Sequence, residues 1–235
     1  MRDLSEFGTL AEYNRKRRFD VTPEPRGGRR PRAGPRRRFV VQKHRATALH
    51  YDFRLEHGGV MLSWAVPKGP SPDPSVKRLA MTTEPHPLAY NDFEGVIPEG
   101  EYSGGTVMIW DRGTWEPEVA DVDRALARGE LKFTLRGRKL KGSWVLVRTR
   151  GNGKWGGDRK WLMIKHRDAA TSNEDLTVAR PLSVVSRRTM AGIARAAGAS
   201  ARQLALAQAA DPPRAAAAAP TGTVAAPSRP RKRSA

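Results

Sequence analysis

Gln42-Lys43-His44-Arg45-Ala46-Thr47-Ala48-Leu49-His50-Tyr51-Asp52-Phe53-Arg54-Leu55-Glu56 is the most informative run in this chain of 235 residues. From His50 onward it alternates: Tyr51, Phe53 and Leu55 are apolar, while His50, Asp52, Arg54 and Glu56 are polar. A period of two predicts a β-strand with one face in a core. The same geometry sets His50, Asp52 and Arg54 side by side on the other face. His44 precedes His50 by six residues, across an Arg-Ala-Thr-Ala link short enough to fold back. Two imidazoles and a carboxylate so placed can hold a divalent cation and leave coordination positions open. Arg54, next along that face, is a planar fork suited to phosphate. A solvent-wetted strand face is the bland alternative. Two of the chain's five histidines at matched parity with an Asp and an Arg favour a site. The ligand set alone does not name the reaction, because non-haem iron oxygenases use the same donors.

Working outward, short β-prone runs recur: Phe39–Lys43, His50–Glu56, Val60–Val66, Arg78–Thr83, Gly105–Trp110, Gly113–Glu118, Leu131–Leu135, Ser143–Arg148 and Trp161–Lys165. Turn signals such as Glu56-His57-Gly58-Gly59, Asp111-Arg112-Gly113 and Lys141-Gly142 separate them. This spacing predicts an all-β, mainly antiparallel fold, a small barrel or sandwich over residues 39–170. One helix is expected near Asp121–Gly129, capped by Asp121 and closed by Gly129. A short helix over residues 8–18, capped by Thr9, is expected before the barrel.

The flanks differ in texture. Residues 1–38 carry 12 Lys/Arg against 5 Asp/Glu, and residues 171–235 carry 10 against 3. Each flank is therefore net +7, leaving only +5 of the total +19 for residues 39–170. Arg26–Arg38 is Gly, Pro and Arg with almost nothing apolar, and reads as a flexible basic linker. Residues 171–235 read as a basic Ala/Pro-rich tail, largely disordered, with a weak helical signal over 188–210. Such charge gathers polyanions, nucleic acid first among them. The absence of cysteine excludes disulfides, zinc–thiolate sites and thiol catalysis, and fits a reducing cytoplasm. No apolar stretch approaches membrane-spanning length, so no membrane partner is expected.

The runs Phe39-Val40-Val41-Gln42-Lys43-His44, Leu49-His50-Tyr51-Asp52-Phe53-Arg54-Leu55-Glu56, Ser63-Trp64-Ala65-Val66-Pro67-Lys68-Gly69-Pro70, His86-Pro87-Leu88-Ala89-Tyr90, Asp92-Phe93-Glu94-Gly95-Val96-Ile97-Pro98-Glu99-Gly100 and Gly105-Thr106-Val107 together resemble the 3′-phosphoesterase domain of bacterial DNA ligase D. The resemblance spans about Leu10 to Arg167. It implies a small β-barrel with a manganese-dependent site, other divalent cations suiting the same ligands. The implied activity trims 3′ ends in double-strand break repair, removing a terminal ribonucleoside and then the remaining 3′-phosphate. By motif, His44, His50 and Asp52 would be the metal ligands. Arg54, His86 and Tyr90 would surround the scissile phosphate, with Gln42, Lys68, Arg78, Arg17 and Glu24 as supporting positions. The family has Arg-Asp-Phe where this chain reads Arg17-Arg18-Phe19, and Asp20 is the nearest acid. The implied partners are DNA or RNA-tipped DNA 3′ ends, and ligase, polymerase or Ku repair proteins. A free-standing monomer, cytoplasmic and associated with the nucleoid, is expected.

The residues agree with that chemistry. A bound cation lowers the pKa of water, and an arginine stabilises charge developing on phosphate oxygens. His86 is read as a hydrogen-bond partner or proton donor, and Tyr90 as a further donor. His57 and His166 are read as structural or exposed. Two other classes remain open. A catalytically inactive basic binding module would not need the His/His/Asp/Arg cluster. An iron oxygenase would need a second basic anchor for a keto-acid cosubstrate, and none is evident.

Overall fold

A computed structural model describes residues 9–28, 36–149 and 159–213. Nine strands form one antiparallel sheet: β1 (Arg38–Arg45), β2 (Leu49–His57), β3 (Val60–Val66), β4 (Arg78–His86), β5 (Gly95–Ile97), β6 (Gly105–Pro117), β7 (Glu130–Gly137), β8 (Lys141–Arg148) and β9 (Lys160–Lys165). The order β1-β2-β3-β4-β9-β8-β7-β6 closes because β6 pairs back onto β1, giving an eight-stranded barrel. The short β5 lies along the first residues of β6. Closure removes the exposed edges that an open sheet would present.

The alternation in β2 sends Tyr51, Phe53 and Leu55 inward, where they meet Phe39 and Val41 of β1, Trp64 of β3, Phe133 of β7 and Trp144 of β8. Phe53 is fully buried and stacks on Phe133 with ring centroids 5.7 Å apart. Such an arrangement adds to the area term for aromatic pairs. The opposite face of β1 and β2 is also buried. The polar face is thus covered by other parts of the chain rather than left to solvent.

Two expected strands merge. Asp111-Arg112-Gly113 is not a turn but a bulge within the 13-residue β6: Val41 pairs with Asp111 and Gln42 with Ile109, so Trp110 is the extra residue. Asp111 spends its carboxylate on the β7–β8 turn, accepting from the backbone N–H groups of Arg138, Lys139 and Leu140 at 3.0, 3.0 and 2.8 Å. A Cβ on Gly113 would lie 2.1 Å from the Arg136 carbonyl oxygen, so only glycine fits there. Helix α2 (Val122–Arg128) follows the expectation. Asp121 accepts from Arg124 N–H, and Gly129 ends the helix at φ 83° in the left-handed region. Helix α1 is shorter than expected, Ala11–Arg15, and its cap is Leu10 rather than Thr9.

The boundary expected at residue 170 needs correction. Residues 171–213 form an ordered part of the barrel's packing, with α3 (Leu176–Ala179), α4 (Met190–Ala196) and α5 (Ala201–Ala210). Met190, Ile193, Ala194, Ala207 and Ala210 join the main core cluster. Asp211 caps α4 by accepting from Met190 N–H (2.8 Å) and Ala191 N–H (3.0 Å). Lys43 of β1 donates to the Ala210 carbonyl at 2.6 Å, and Gln203 to that of Ile97 at 2.8 Å. An alanine-rich sequence hid this, because alanine's helix propensity does not show what a helix packs against. Residues 29–35 and 214–235, which hold much of the expected linker and tail, lie outside the described residues.

Candidate metal and phosphate site

The covered outer face of β1 and β2 holds the cluster. His44 pairs across the ladder with His50, and Gln42 with Asp52, so all four share one face with Arg54. Candidate donor atoms of His44, His50 and Asp52 lie within 4.8 Å of one another. Asp52 Oδ2 is 3.5 Å from His44 Nδ1 and 3.5 Å from His50 Nε2. Each imidazole uses its other nitrogen on the backbone: His44 Nε2 to Ser103 O at 3.0 Å, His50 Nδ1 to Ala48 O at 3.1 Å. A carbonyl only accepts, so both of those nitrogens carry the proton. In the neutral imidazoles the nitrogens facing Asp52 carry the lone pairs, which is the orientation a metal-binding histidine needs. Ser103, held at φ 59°, turns its carbonyl onto His44. These residues fit a divalent ion.

Arg54 is 3% exposed and fixed on three sides. Its Nε donates to Gln42 Oε1 (2.9 Å), Nη1 to Ser63 Oγ (2.8 Å), and Nη2 lies 3.2 Å from Asp52 Oδ2. Guanidinium has five N–H donors, so two remain. Gln42 is itself locked, donating to the carbonyls of Tyr90 (3.0 Å) and Phe93 (2.9 Å). Burial alone would push the Asp52 carboxyl up. The Arg54 charge and the two imidazoles instead hold it well below the ordinary carboxylate range. Burial likewise pulls His50 down, but its contacts with Asp52 raise it above its usual value overall.

The wall of the cleft comes from β4, the 3-10 turn Leu88–Asp92 and the N-terminal segment. Arg17 donates from Nε to Glu24 at 2.8 Å, and its guanidinium lies 3.8 Å from the Tyr13 ring centroid. Glu24 also accepts from Thr22 Oγ1 (2.9 Å) and from the Tyr90 hydroxyl (2.8 Å). His86 Nδ1 lies 2.8 Å from the Glu84 carbonyl and so carries the proton; Nε2 then accepts from Arg17 Nη2 at 3.3 Å. Burial first, then the charges of Arg54 and Arg17, hold His86 well below its usual range, so it is neutral.

Four of the expected residues have partners or positions in this geometry that differ from the roles read in the sequence. His86 gives its one proton to Glu84 O and turns Nε2 to Arg17. Tyr90 has one hydroxyl proton and gives it to Glu24; its ring instead supports Arg54 at 4.9 Å. Lys68 and Arg78 do not line the cleft. Lys68 is exposed in the turn after β3, and Arg78 shares the inward parity of Ala80 on β4. His44, His50, Asp52, Arg54, His86, Tyr90 and Arg17 do line it together, with Gln42 and Glu24 bonded directly behind. Arg18 points away and pairs with Glu101; the carboxylates beside Arg17 are Glu24 at 2.8 Å and Glu84 at 3.5 Å. His57 pairs with Asp123 at 2.8 Å and His166 with Ser143 at 2.8 Å, both remote from the cleft.

Sequence reasoning missed Tyr13, Ser63, Glu84 and Ser103. Ser63 was findable: it breaks the apolar run Val60–Val66 and pairs with Arg54 across β2–β3. The others act through backbone carbonyls, rings or long-range contacts that leave no pattern along the chain.

Residues 42–148 match the model of the DNA Ligase D 3'-phosphoesterase domain. The chain is 50% identical over 186 residues to the multifunctional non-homologous end joining protein LigD of Pseudomonas aeruginosa, covering 77% of this chain and 22% of that protein. Relatives of the same name from Mycobacterium bovis and Mycolicibacterium smegmatis are 46% and 40% identical over 143 and 164 residues. These alignments cover 61% and 68% of this chain, and 19% and 21% of those proteins. The chain thus spans about a fifth of the length of these relatives. The match runs from Gln42 within β1 to the end of β8 and takes in every residue of the His44/His50/Asp52/Arg54 cluster, and on that ground this segment of the chain belongs to the DNA ligase D 3′-phosphoesterase domain family.

Proposed function

We propose that the chain is a metal-dependent phosphoesterase that processes 3′ ends of DNA or RNA-tipped DNA during double-strand break repair. It would remove a 3′-terminal ribonucleoside and then the remaining 3′-phosphate. The observation that carries this reading is the pair of imidazoles oriented by backbone carbonyls, their second nitrogens facing Asp52, beside an arginine with two uncommitted donors. His44, His50 and Asp52 would hold the ion; nitrogen and oxygen ligands without thiolate suit manganese, though raw affinity would favour zinc or copper. A bound divalent ion would neutralise phosphate charge and acidify water.

The chain's own residues supply the rest. The two free N–H groups of Arg54 meet the non-bridging oxygens, and Gln42, Ser63 and Asp52 prevent the fork from swinging away. Preorganised donors of this kind need no rearrangement as charge develops. Neutral His86 keeps the second cation, Arg17, at the cleft wall. Glu24 holds Arg17 and Tyr90 together and so links the N-terminal segment to Arg54. Ku, ligase and polymerase proteins remain partners suggested by the relatives' end-joining role.

The test is release of phosphate from a 3′-phosphorylated oligonucleotide in a metal series, with removal of a terminal ribonucleoside followed on a second substrate. Release with manganese and none after chelation is expected. Nucleic-acid binding without hydrolysis in every metal would instead leave an inactive binding module.

A further inference from the structure

A second cavity lies between the β7–β8 turn and the strap of residues 179–188, and Arg138, Lys139, Arg180 and Arg187 all line it. The strap is held firmly. Val184 N–H donates to Ile109 O at 3.0 Å, Ser183 Oγ to Glu94 at 2.6 Å, and Arg138 Nη1 to Val184 O at 2.7 Å. Lys139 Nζ donates to the carbonyls of Arg180 (2.6 Å) and Leu182 (2.8 Å) and lies 4.3 Å from the Trp110 ring centroid.

What this cavity lacks is negative charge. Among the described residues no carboxylate comes within 4.0 Å of the cationic groups of Arg138, Lys139 or Arg187. Arg180 reaches only Glu174, at 3.9 Å and in solvent. Asp111 is the nearby acid, and its oxygens are taken by three backbone N–H groups. Burial, with the charges of Lys43, Arg180 and Arg187, brings the Lys139 ammonium down to about 7 against the opposing pull of Asp111. Crowded cations without counter-charge are relieved by an anion, and a fork such as arginine suits phosphate.

The register relates the cavity to the cleft. Asp52 pairs with Gln42 and Gln42 with Ile109, and the strap joins at Ile109. Three strand spacings of about 4.8 Å make roughly 15 Å from Asp52 to the strap on the level of the metal ligands. Phosphates of one strand lie about 3.4 Å apart along the helix axis and about twice that through space, because the strand also winds round the axis, so the span is roughly two to three nucleotides.

We propose that this cavity binds a backbone phosphate of the strand whose 3′ end occupies the cleft, roughly two to three nucleotides in from that end. The proposal rests on the function proposed above and adds a second anchor for the same substrate. The test is the double variant Arg180→Glu with Arg187→Glu. Binding of a dinucleotide and of a twelve-nucleotide strand is followed by fluorescence anisotropy across a salt series, and folding by thermal midpoint. Affinity for the long strand is expected to fall about tenfold and the salt slope to drop by about one per lost contact, with the dinucleotide unaffected. Unchanged affinity and slope for the long strand would overturn the proposal. So would a variant that loses only a pyrophosphate-induced rise in midpoint, which would assign the cavity to free phosphates. If reversal of charge prevents folding, Arg180→Gln with Arg187→Gln reads the same comparison with a smaller change. Failure of hydrolysis in every metal would remove the catalytic reading but leave this binding comparison intact.

Discussion

The two flanks of the barrel carry the same net charge in the sequence, yet the chain uses them in opposite ways. Residues 9–28 bring charge inward: Arg17 and Glu24 are buried as a pair against Tyr90 and His86, on the polar outer face beside the metal ligands. Residues 171–213 bring apolar surface inward: Met190, Ile193 and Ala194 extend the barrel's own core, and the charges on that flank mostly stay outside. One flank completes a site and the other completes a fold. Like composition says little about burial; what counts is which face of the barrel each segment covers and what that face offers to pair with.

The largest expected effect comes from cutting the chain. Ending it at residue 170 removes Leu176, Met190 and Ile193, each at least 95% buried. At about 1.5–3 kcal/mol for each such side chain the loss is roughly 5–9 kcal/mol, comparable with the whole stability of a domain. That truncation is expected not to fold. Ending the chain at residue 213 removes five Lys/Arg and no Asp/Glu. It should leave the thermal midpoint and turnover on short substrates unchanged and lower only the salt slope of DNA binding. A folded chain ending at 170, judged by circular dichroism, would erase the contrast between the flanks.

Within the outer face, Arg54→Ala should lower turnover about a hundredfold or more, the scale seen when one preorganised donor is lost. Arg54→Lys should restore little, since an ammonium cannot reproduce the fork held by Gln42 and Ser63. Steady-state kinetics on a 3′-phosphate substrate decide this, and near-normal turnover in either variant would contradict it.

The flanks separate again under single substitutions. Ile193→Ala should cost about 2–5 kcal/mol of stability with turnover per folded molecule unchanged. Arg17→Lys, which keeps a charge beside Glu24 and Glu84 but loses the planar fork, should do the reverse, lowering turnover with a smaller loss of stability. Urea midpoints and turnover measured on both variants sharpen the comparison; parallel losses of both kinds in both variants would break it.

The smallest effect is on pH. His86 is neutral in the folded chain and resists protonation, whereas in the unfolded chain it titrates near its ordinary value. Its contribution is therefore present above about pH 6.5 and is lost as pH falls below it, by at most about 1.4 kcal/mol per pH unit. His50, shifted the other way, gives its contribution in full below that pH and adds no slope there. Urea midpoints between pH 6.5 and 5 should fall for the parent chain and fall less for His86→Asn. Equal slopes would mean that His86 is not held neutral.

Much of this molecule was legible in the sequence where a short period governs it. Alternation in β2 identified the inward face and set His50, Asp52 and Arg54 together, and the ladder then brought His44 opposite His50. Features that depend on distant backbone were not legible. The neutrality of His86 follows from the Glu84 carbonyl and Arg17, and the commitment of Tyr90 from Glu24, 66 residues away. The bulge at Trp110 mimicked a turn because Asp-Arg-Gly carries turn chemistry, which Asp111 spends on the neighbouring β7–β8 turn instead. Helices α4 and α5 were hidden by alanine, whose small side chain leaves a faint periodic signal even when it is packed.

The central claim is that His44, His50 and Asp52 hold one divalent ion on the barrel's outer face. It is tested most directly by manganese titration of the parent chain and of His50→Ala, followed by electron paramagnetic resonance with thermal midpoints taken alongside. One tightly bound ion per parent chain is expected, and none in the variant at an unchanged midpoint. Full occupancy in a folded His50→Ala chain would contradict the assignment.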